Sequence, residues 1–145
     1  MPRVLIVDDH AFIRRGVQTL LQPYPEWELI GEAGNGNDAI RMVDELNPEV
    51  VLMDVTMPGM NGIEATRLIR SGHPNVKIIL LTLHESSEVL RSGFRAGANG
   101  YLFKADAEEE LMKALRVVTG DGSYISPKID PVVVTNIIKE IRSAS

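Results

Sequence analysis

Strand-length apolar runs recur along this chain: "RVLIV" (3–7), "WELIGEA" (27–33), "EVVLM" (49–53), "KIILLT" (77–82) and "GYLF" (100–103). Most are continuous rather than alternating and rich in Val, Ile and Leu, as in strands covered on both faces of a parallel sheet. Helical periodicity fills the intervals. Ile13, Val17, Leu20 and Leu21 share a face before Pro23 and Pro25. Ala39, Ile40, Val43 and Leu46 form a second stripe that stops near Asn47-Pro48. Ile63, Thr66 and Ile69 follow the turn "PGMNG" and end at Ser71-Gly72. A weaker, glycine-interrupted pattern covers 86–95. Leu111, Leu115 and Val118 line a fifth helix, with Asp106 and Glu109 as a capping box, "AEEELMK" as a solvated first turn and Gly120 as the stop.

Strand and helix thus alternate five times over residues 3–120. This predicts a doubly wound (βα)₅ domain with a right-handed crossover at each step. Beyond Gly120, "DGSYISPKIDP" reads as turns. Asp130-Pro131 then opens an amphipathic helix with Val134, Ile137, Ile138 and Ile141 on one face. The expected division is a domain over 1–121 and a linker-like helical segment over 122–145.

Ligands bind doubly wound sheets outside the carboxyl ends of the strands, where strand order reverses. Asp8 and Asp9 end the first run, Asp54 the third, Thr82 the fourth and Lys104 the fifth. In the flavodoxin-like order 2-1-3-4-5 the first and third strands are neighbours, so Asp8, Asp9 and Asp54 converge with Thr82 and Lys104 on the same rim. Taken alone, "VDDH" also reads as a solvated turn in which Asp9 caps the next helix. Three carboxylates at one edge instead form a hard oxygen site suited to Mg²⁺, with Mn²⁺ an alternative, and poor for zinc. Such a site can receive a phosphoryl group, with Asp54 as nucleophile, Lys104 as countercharge and Thr82 as hydroxyl donor.

Composition narrows the field. The chain has 145 residues, 44% hydrophobic, with no cysteine, which excludes disulfides and thiolate zinc sites. A net charge of −5 argues against nucleic acid or anionic membrane as the main partner of this segment. No signal peptide or membrane span is legible, so a cytoplasmic location is expected. His10, His73 and His84 lack metal spacing among themselves and read as rim or surface residues. Two rival readings arise. "GNGNDA" matches G-x-G-x-x-A between a strand and a helix, a dinucleotide-binding loop, but leaves Asp8, Asp9 and Lys104 unused. An aspartyl phosphohydrolase needs a second acid two residues after the nucleophile, where this chain has Thr56.

The stretches "VDDH", "PEVVLMDVTMPGMNGIEA", "ILLTLHE" and "RAGANGYLFK" resemble the receiver domain of bacterial two-component response regulators. "DDHAFIRRGV", "GEAGNG" and "GSYISP" further resemble its NarL/LuxR-type subfamily. The resemblance implies that Asp54 accepts phosphate from a sensor histidine kinase. It implies that Asp9 ligates Mg²⁺ directly, Asp8 largely through water, and the Thr56 carbonyl completes the protein ligands. Lys104 would pair with the phosphoryl group while Thr82 moves towards it and Tyr101 changes rotamer, shifting the 82–105 face. Thr56 and His84 fall at positions that modulate loss of the acyl phosphate. The likeness further implies a non-enzymatic switch, a homodimer on phosphorylation, and DNA binding only through a C-terminal helix-turn-helix domain outside these residues. Ala105 stands where many receivers have proline after the lysine, which suggests a looser loop.

Overall fold

The computed structural model describes residues 2–144. Its strands are β1 (Arg3–Val7), β2 (Glu28–Ala33), β3 (Val50–Asp54), β4 (Lys77–Thr82), β5 (Gly100–Phe103) and β6 (Tyr124–Ile125). The helices are α1 (Ala11–Leu21), α2 (Gly36–Leu46), α3 (Gly62–Gly72), α4 (Ser87–Ala96), α5 (Ala107–Thr119) and α6 (Pro131–Ala144). All strand pairs are parallel, in the order β2-β1-β3-β4-β5-β6. The flavodoxin-like order expected from the sequence is therefore present, extended by one short strand.

Alternation within each strand divides the core in two. Leu5, Val7, Val51, Met53, Ile78, Leu80 and Tyr101 face α2, α3, α4 and α6, meeting Ala39, Val43, Ala65, Ile69, Leu90 and Ile137. Val4, Ile6, Val50, Leu52, Ile79, Leu81 and Leu102 face α1 and α5 on the other side, against Val17, Leu21, Leu111, Leu115 and Val118. Both faces of the central strands are dry, which is why these runs are unbroken in sequence. Helix ends follow local chemistry. Asn35, Asn61 and Ser86 each accept a backbone N–H of the first turn, and α2 stops at Asn47 in the left-handed conformation.

Three sequence expectations need correction. The turn-rich stretch after Gly120 contains β6, whose backbone pairs with β5 through Tyr124 N to Asn99 O (3.0 Å) and Ser126 N to Tyr101 O (3.0 Å). Two residues are too few to show periodicity. The capping box at Asp106 does not form: a 3₁₀ turn over Lys104–Asp106 precedes α5, and the Asp106 carboxylate pairs with Lys128 instead. The first turn of α5 is not wholly solvated either. Glu110 is buried and accepts hydrogen bonds from the Tyr124 hydroxyl (2.8 Å) and Ser126 Oγ (3.4 Å). Burial and the adjacent Glu110 carboxylate both push the Tyr124 phenol pKa upwards, so it remains a donor.

This cluster ties β6 to α5, and α6 is held on the opposite face. Ile129 and Ile137 are buried in the cluster containing Leu90 of α4, and Arg91 Nε meets Glu140 Oε2 at 2.6 Å. No helix among the described residues is long and apolar enough to cross a membrane. Tyr124→Phe removes a donor from a buried carboxylate and is expected to cost about 1–2 kcal/mol, measured by urea denaturation. An unchanged midpoint would show that Glu110 does not depend on this hydroxyl.

Candidate functional site

The carboxyl ends of β1 and β3 lie side by side, with Val7 opposite Met53 in the register. Asp8 directly follows β1 and Asp54 is the last residue of β3, and the shared register brings the two to one rim. Both are almost fully buried, at 0% and 2% exposure. The Lys104 side chain, 5% exposed, reaches them from the end of β5 and lies 2.7 Å from Asp8 Oδ2 and 3.0 Å from Asp54 Oδ1. One ammonium thus bridges two buried carboxylates. Asp54 Oδ1 also accepts from Thr56 N (3.2 Å), whereas Asp54 Oδ2 is buried without a hydrogen-bond partner.

Asp9 is more open, with a side chain 25% exposed. It does not cap α1. His10 occupies the cap position, and its backbone N–H donates to Asp8 Oδ1 at 2.9 Å. The Asp8 carbonyl is in turn held by Arg14 Nη1 (2.5 Å). One ligand atom from each of Asp8, Asp9, His10 and Asp54 falls within 4.8 Å of the others. Sequence spacing placed only the three aspartates here. His10 joins them because the chain turns back over Asp8 before α1 begins, a local geometry that no metal-spacing motif encodes.

Burial dominates the electrostatics of Asp54, raising its pKa from about 3.8 to about 6. The Asp8 charge pushes in the same direction, while Lys104 and the Thr56 N–H oppose it. Burial alone would lower the Lys104 pKa, but hydrogen bonds to Asp8 and Asp54 outweigh it and the net shift is upward. Three acids face one ammonium, leaving the rim short of positive charge. The acidic oxygen donors, the orphaned Asp54 Oδ2 and this charge deficit fit a small divalent cation.

Asp54 is fixed from below. Gly62 opens α3 directly against it, its N–H donating to Val55 O (2.9 Å), and a Cβ at Gly62 would lie 2.0 Å from the Asp54 carbonyl oxygen. The glycine of "PGMNG" therefore allows α3 to approach the acid closely. Lys104-Ala105 is not a loose loop: its peptide is trans and it belongs to the 3₁₀ turn. Thr82, at the end of β4, turns its hydroxyl to the His84 carbonyl (3.2 Å). Tyr101 is fully buried, edge-on to Phe103 with ring centroids 5.9 Å apart. Its hydroxyl lacks a well-formed hydrogen bond, and burial raises its pKa.

The "GNGNDA" segment is an ordinary helix start. Asn35 Oδ1 accepts Asp38 N at 2.8 Å, occupying a donor that a pyrophosphate would require, and Gly36 packs against Met60. A cleft of about 390 Å³ lies at the amino end of the sheet beside Asn47, Glu49, His73 and Lys77, away from the acids. A smaller one of about 190 Å³ opens beside Lys104 and is lined by His10, Phe12, Ile13 and Leu83. Phe12 and Leu83 are strongly exposed there.

A strand-order reversal with three aspartates and a buried lysine at its rim defines an open α/β domain with an acidic, oxygen-rich site at the carboxyl end of its sheet. The chain belongs to the response regulator receiver domain family, which it matches over residues 4–116. It is 39% identical over 140 residues to the transcriptional regulatory protein DegU of Brevibacillus brevis, covering 97% of this chain and 58% of DegU. It is 40% identical over 129 residues to the response regulator GacA of Pseudomonas aeruginosa, covering 89% of this chain and 60% of GacA. The chain thus spans about three-fifths of the length of these curated relatives. Among solved structures, a LuxR-family two-component response regulator from Aurantimonas sp. SI85-9A1 superposes with a TM-score of 0.83 at 33% identity, covering 95% of this chain and 96% of that one. The signal receiver domain of the putative response regulator NarL from Mycobacterium tuberculosis gives 0.78 at 29% identity, covering 82% and 96%. The chain is accordingly a receiver of the NarL/LuxR type, and receivers of this family act as switches in signalling.

The raised Asp54 pKa makes a stability prediction. The folded chain takes up a proton near pH 6 that the unfolded chain takes up only near pH 3.8. Stability from this group is therefore complete below about pH 4 and is lost as pH rises through 6. In chelator, Asp54→Asn is expected to be more stable than the parent at pH 8 by about 2 kcal/mol, with the gap shrinking towards pH 5. Thermal melts at the two pH values measure it.

Proposed function

We propose that this chain is a phosphorylation-controlled switch in which Asp54 accepts a phosphoryl group from a sensor histidine kinase. The observation that carries this reading is the buried, unpartnered Asp54 Oδ2, set beside a lysine that already holds the other oxygen. A carboxylate oxygen forms the new P–O bond as the P–N bond of the donor phosphohistidine breaks, and the departing imidazole nitrogen keeps the electron pair and takes a proton. Lys104 offers its ammonium to the phosphoryl oxygens, exchanging part of its pairing with Asp54 for the incoming charge. Asp8, Asp9, Asp54 and the Thr56 carbonyl are the proposed holders of Mg²⁺, which would neutralise charge on the transferring group when bound. The cleft beside His10, Phe12 and Leu83 gives the donor an apolar surface next to Lys104.

Output follows from Thr82. Its hydroxyl leaves the His84 carbonyl for the phosphoryl group, and Tyr101, whose own hydroxyl is poorly satisfied, follows into the vacated space. Residues 1–121 act as the receiver and 122–145 as its outlet, because α6 rests on α4 through Leu90, Ile137 and the Arg91–Glu140 pair. In a longer protein the same movement would regulate a DNA-binding domain, with self-association on phosphorylation. The chain is not a turnover enzyme on this reading, although it supplies groups for its own phosphorylation and dephosphorylation.

Incubation with radiolabelled acetyl phosphate is expected to label the chain only with Mg²⁺ present, and Asp54→Asn to abolish labelling. Labelling that survives the substitution removes Asp54 from this role. Beryllofluoride with Mg²⁺ is expected to raise amide exchange across α4 and residues 131–143, and Asp54→Asn to prevent it. Unaltered exchange in α6 would disconnect that helix from the switch.

A further inference from the structure

By spacing, His10 is a rim residue, yet its ring ends among the acids. Nδ1 lies 3.2 Å from Asp8 Oδ1 and 3.1 Å from Asp9 Oδ1. The backbone holds it there through the His10 N–H to Asp8 Oδ1 bond, and α1 makes no use of the side chain as a cap. Neighbouring ligand atoms in an octahedral shell with bonds near 2.1 Å are separated by about 3 Å, and opposite ones by about 4.2 Å. The two short spacings match neighbouring ligands of one coordination shell, and the atoms of Asp8, Asp9, His10 and Asp54 all lie within 4.8 Å of one another, close enough for small side-chain adjustments to complete it. Independently, the unpartnered Asp54 Oδ2 marks a buried oxygen with capacity for a ligand at this cluster.

We propose that His10 Nδ1 is a further protein ligand of the divalent ion and sets which ion the site prefers. The inference rests on the reading of Asp8, Asp9 and Asp54 as the cation site. An oxygen-only set suits Mg²⁺, whereas an imidazole nitrogen adds affinity for Mn²⁺ or Co²⁺ and little for Mg²⁺. Without an ion, Nδ1 faces two acceptor oxygens and is the ring's donor. Ligation would use the Nδ1 lone pair, moving the ring proton to Nε2, which the largely exposed side chain can present to water. The residue is thus a specificity determinant rather than part of the phosphoryl chemistry.

The test uses the 145-residue chain, titrated with Mn²⁺ by loss of the free-ion paramagnetic resonance signal and with Mg²⁺ by competition. His10→Phe and His10→Gln are expected to weaken Mn²⁺ binding roughly tenfold while leaving Mg²⁺ within about twofold, a collapse of the Mn²⁺/Mg²⁺ ratio. Pulsed resonance on the Mn²⁺-loaded parent chain is expected to show directly bound ¹⁴N coupling, which both variants lose. A parent chain that binds Mn²⁺ without nitrogen coupling overturns the role of His10 while leaving the acid site intact, and needs no variant to fold. An unchanged ion ratio in the variants overturns it equally. A parent chain that binds neither ion, or binds both undiminished in Asp9→Asn and Asp54→Asn, overturns the underlying cation site as well.

Discussion

Two aspartates with no access to water cannot share a rim unless something positive lies between them, and here that is the Lys104 ammonium. It stands 2.7 Å from one carboxylate and 3.0 Å from the other, at the end of a strand two places along the sheet from Asp54's own. Burial raises the Asp54 pKa by more than this single ammonium lowers it, and one of its oxygens stays without a hydrogen-bond partner. The rest of the molecule holds that deficit in place. The dry strands keep the chain ends in register, Gly62 lets α3 press on the Asp54 backbone, and the 3₁₀ turn fixes the lysine. A site kept short of positive charge is receptive to a cation.

A chain of packed contacts runs from the rim to the C-terminal helix. Thr82 and Tyr101 sit on adjacent strands behind α4, and α4 carries α6 through Leu90 and Arg91. The segment after α5 is anchored separately by Tyr124, Ser126 and Lys128 on Glu110 and Asp106. The C-terminal segment therefore touches both helices that flank β5. Its support comes from two elements rather than one.

Much of this was legible in sequence because burial on both sides leaves a plain trace. Apolar runs, most of them unbroken and rich in Val, Ile and Leu, located β1 to β5, and a polar residue at the end of four of them located the rim. The carboxylates and lysine came together as the strand order requires, since topology alone brings strand ends into register. What escaped depended on contacts with no period. β6 is two residues long; Glu110 is buried only because Tyr124 and Ser126 arrive from beyond the domain pattern; Asp106 gave up its cap for Lys128; and His10 enters the cluster through a turn rather than a motif. Side-chain pairings made across long sequence gaps leave no mark on local propensity.

The two ends of the sheet are unequal. At one, β6 is too short to recruit another strand. At the other, β2 leaves a six-residue backbone edge unpaired, a natural template for a second chain. Its glutamates, Glu28 and Glu32, remain exposed, and an added strand would have to strip water from both. Aggregation by sheet extension is thereby discouraged at the one edge long enough to permit it, so assemblies of this domain have reason to form through helices instead.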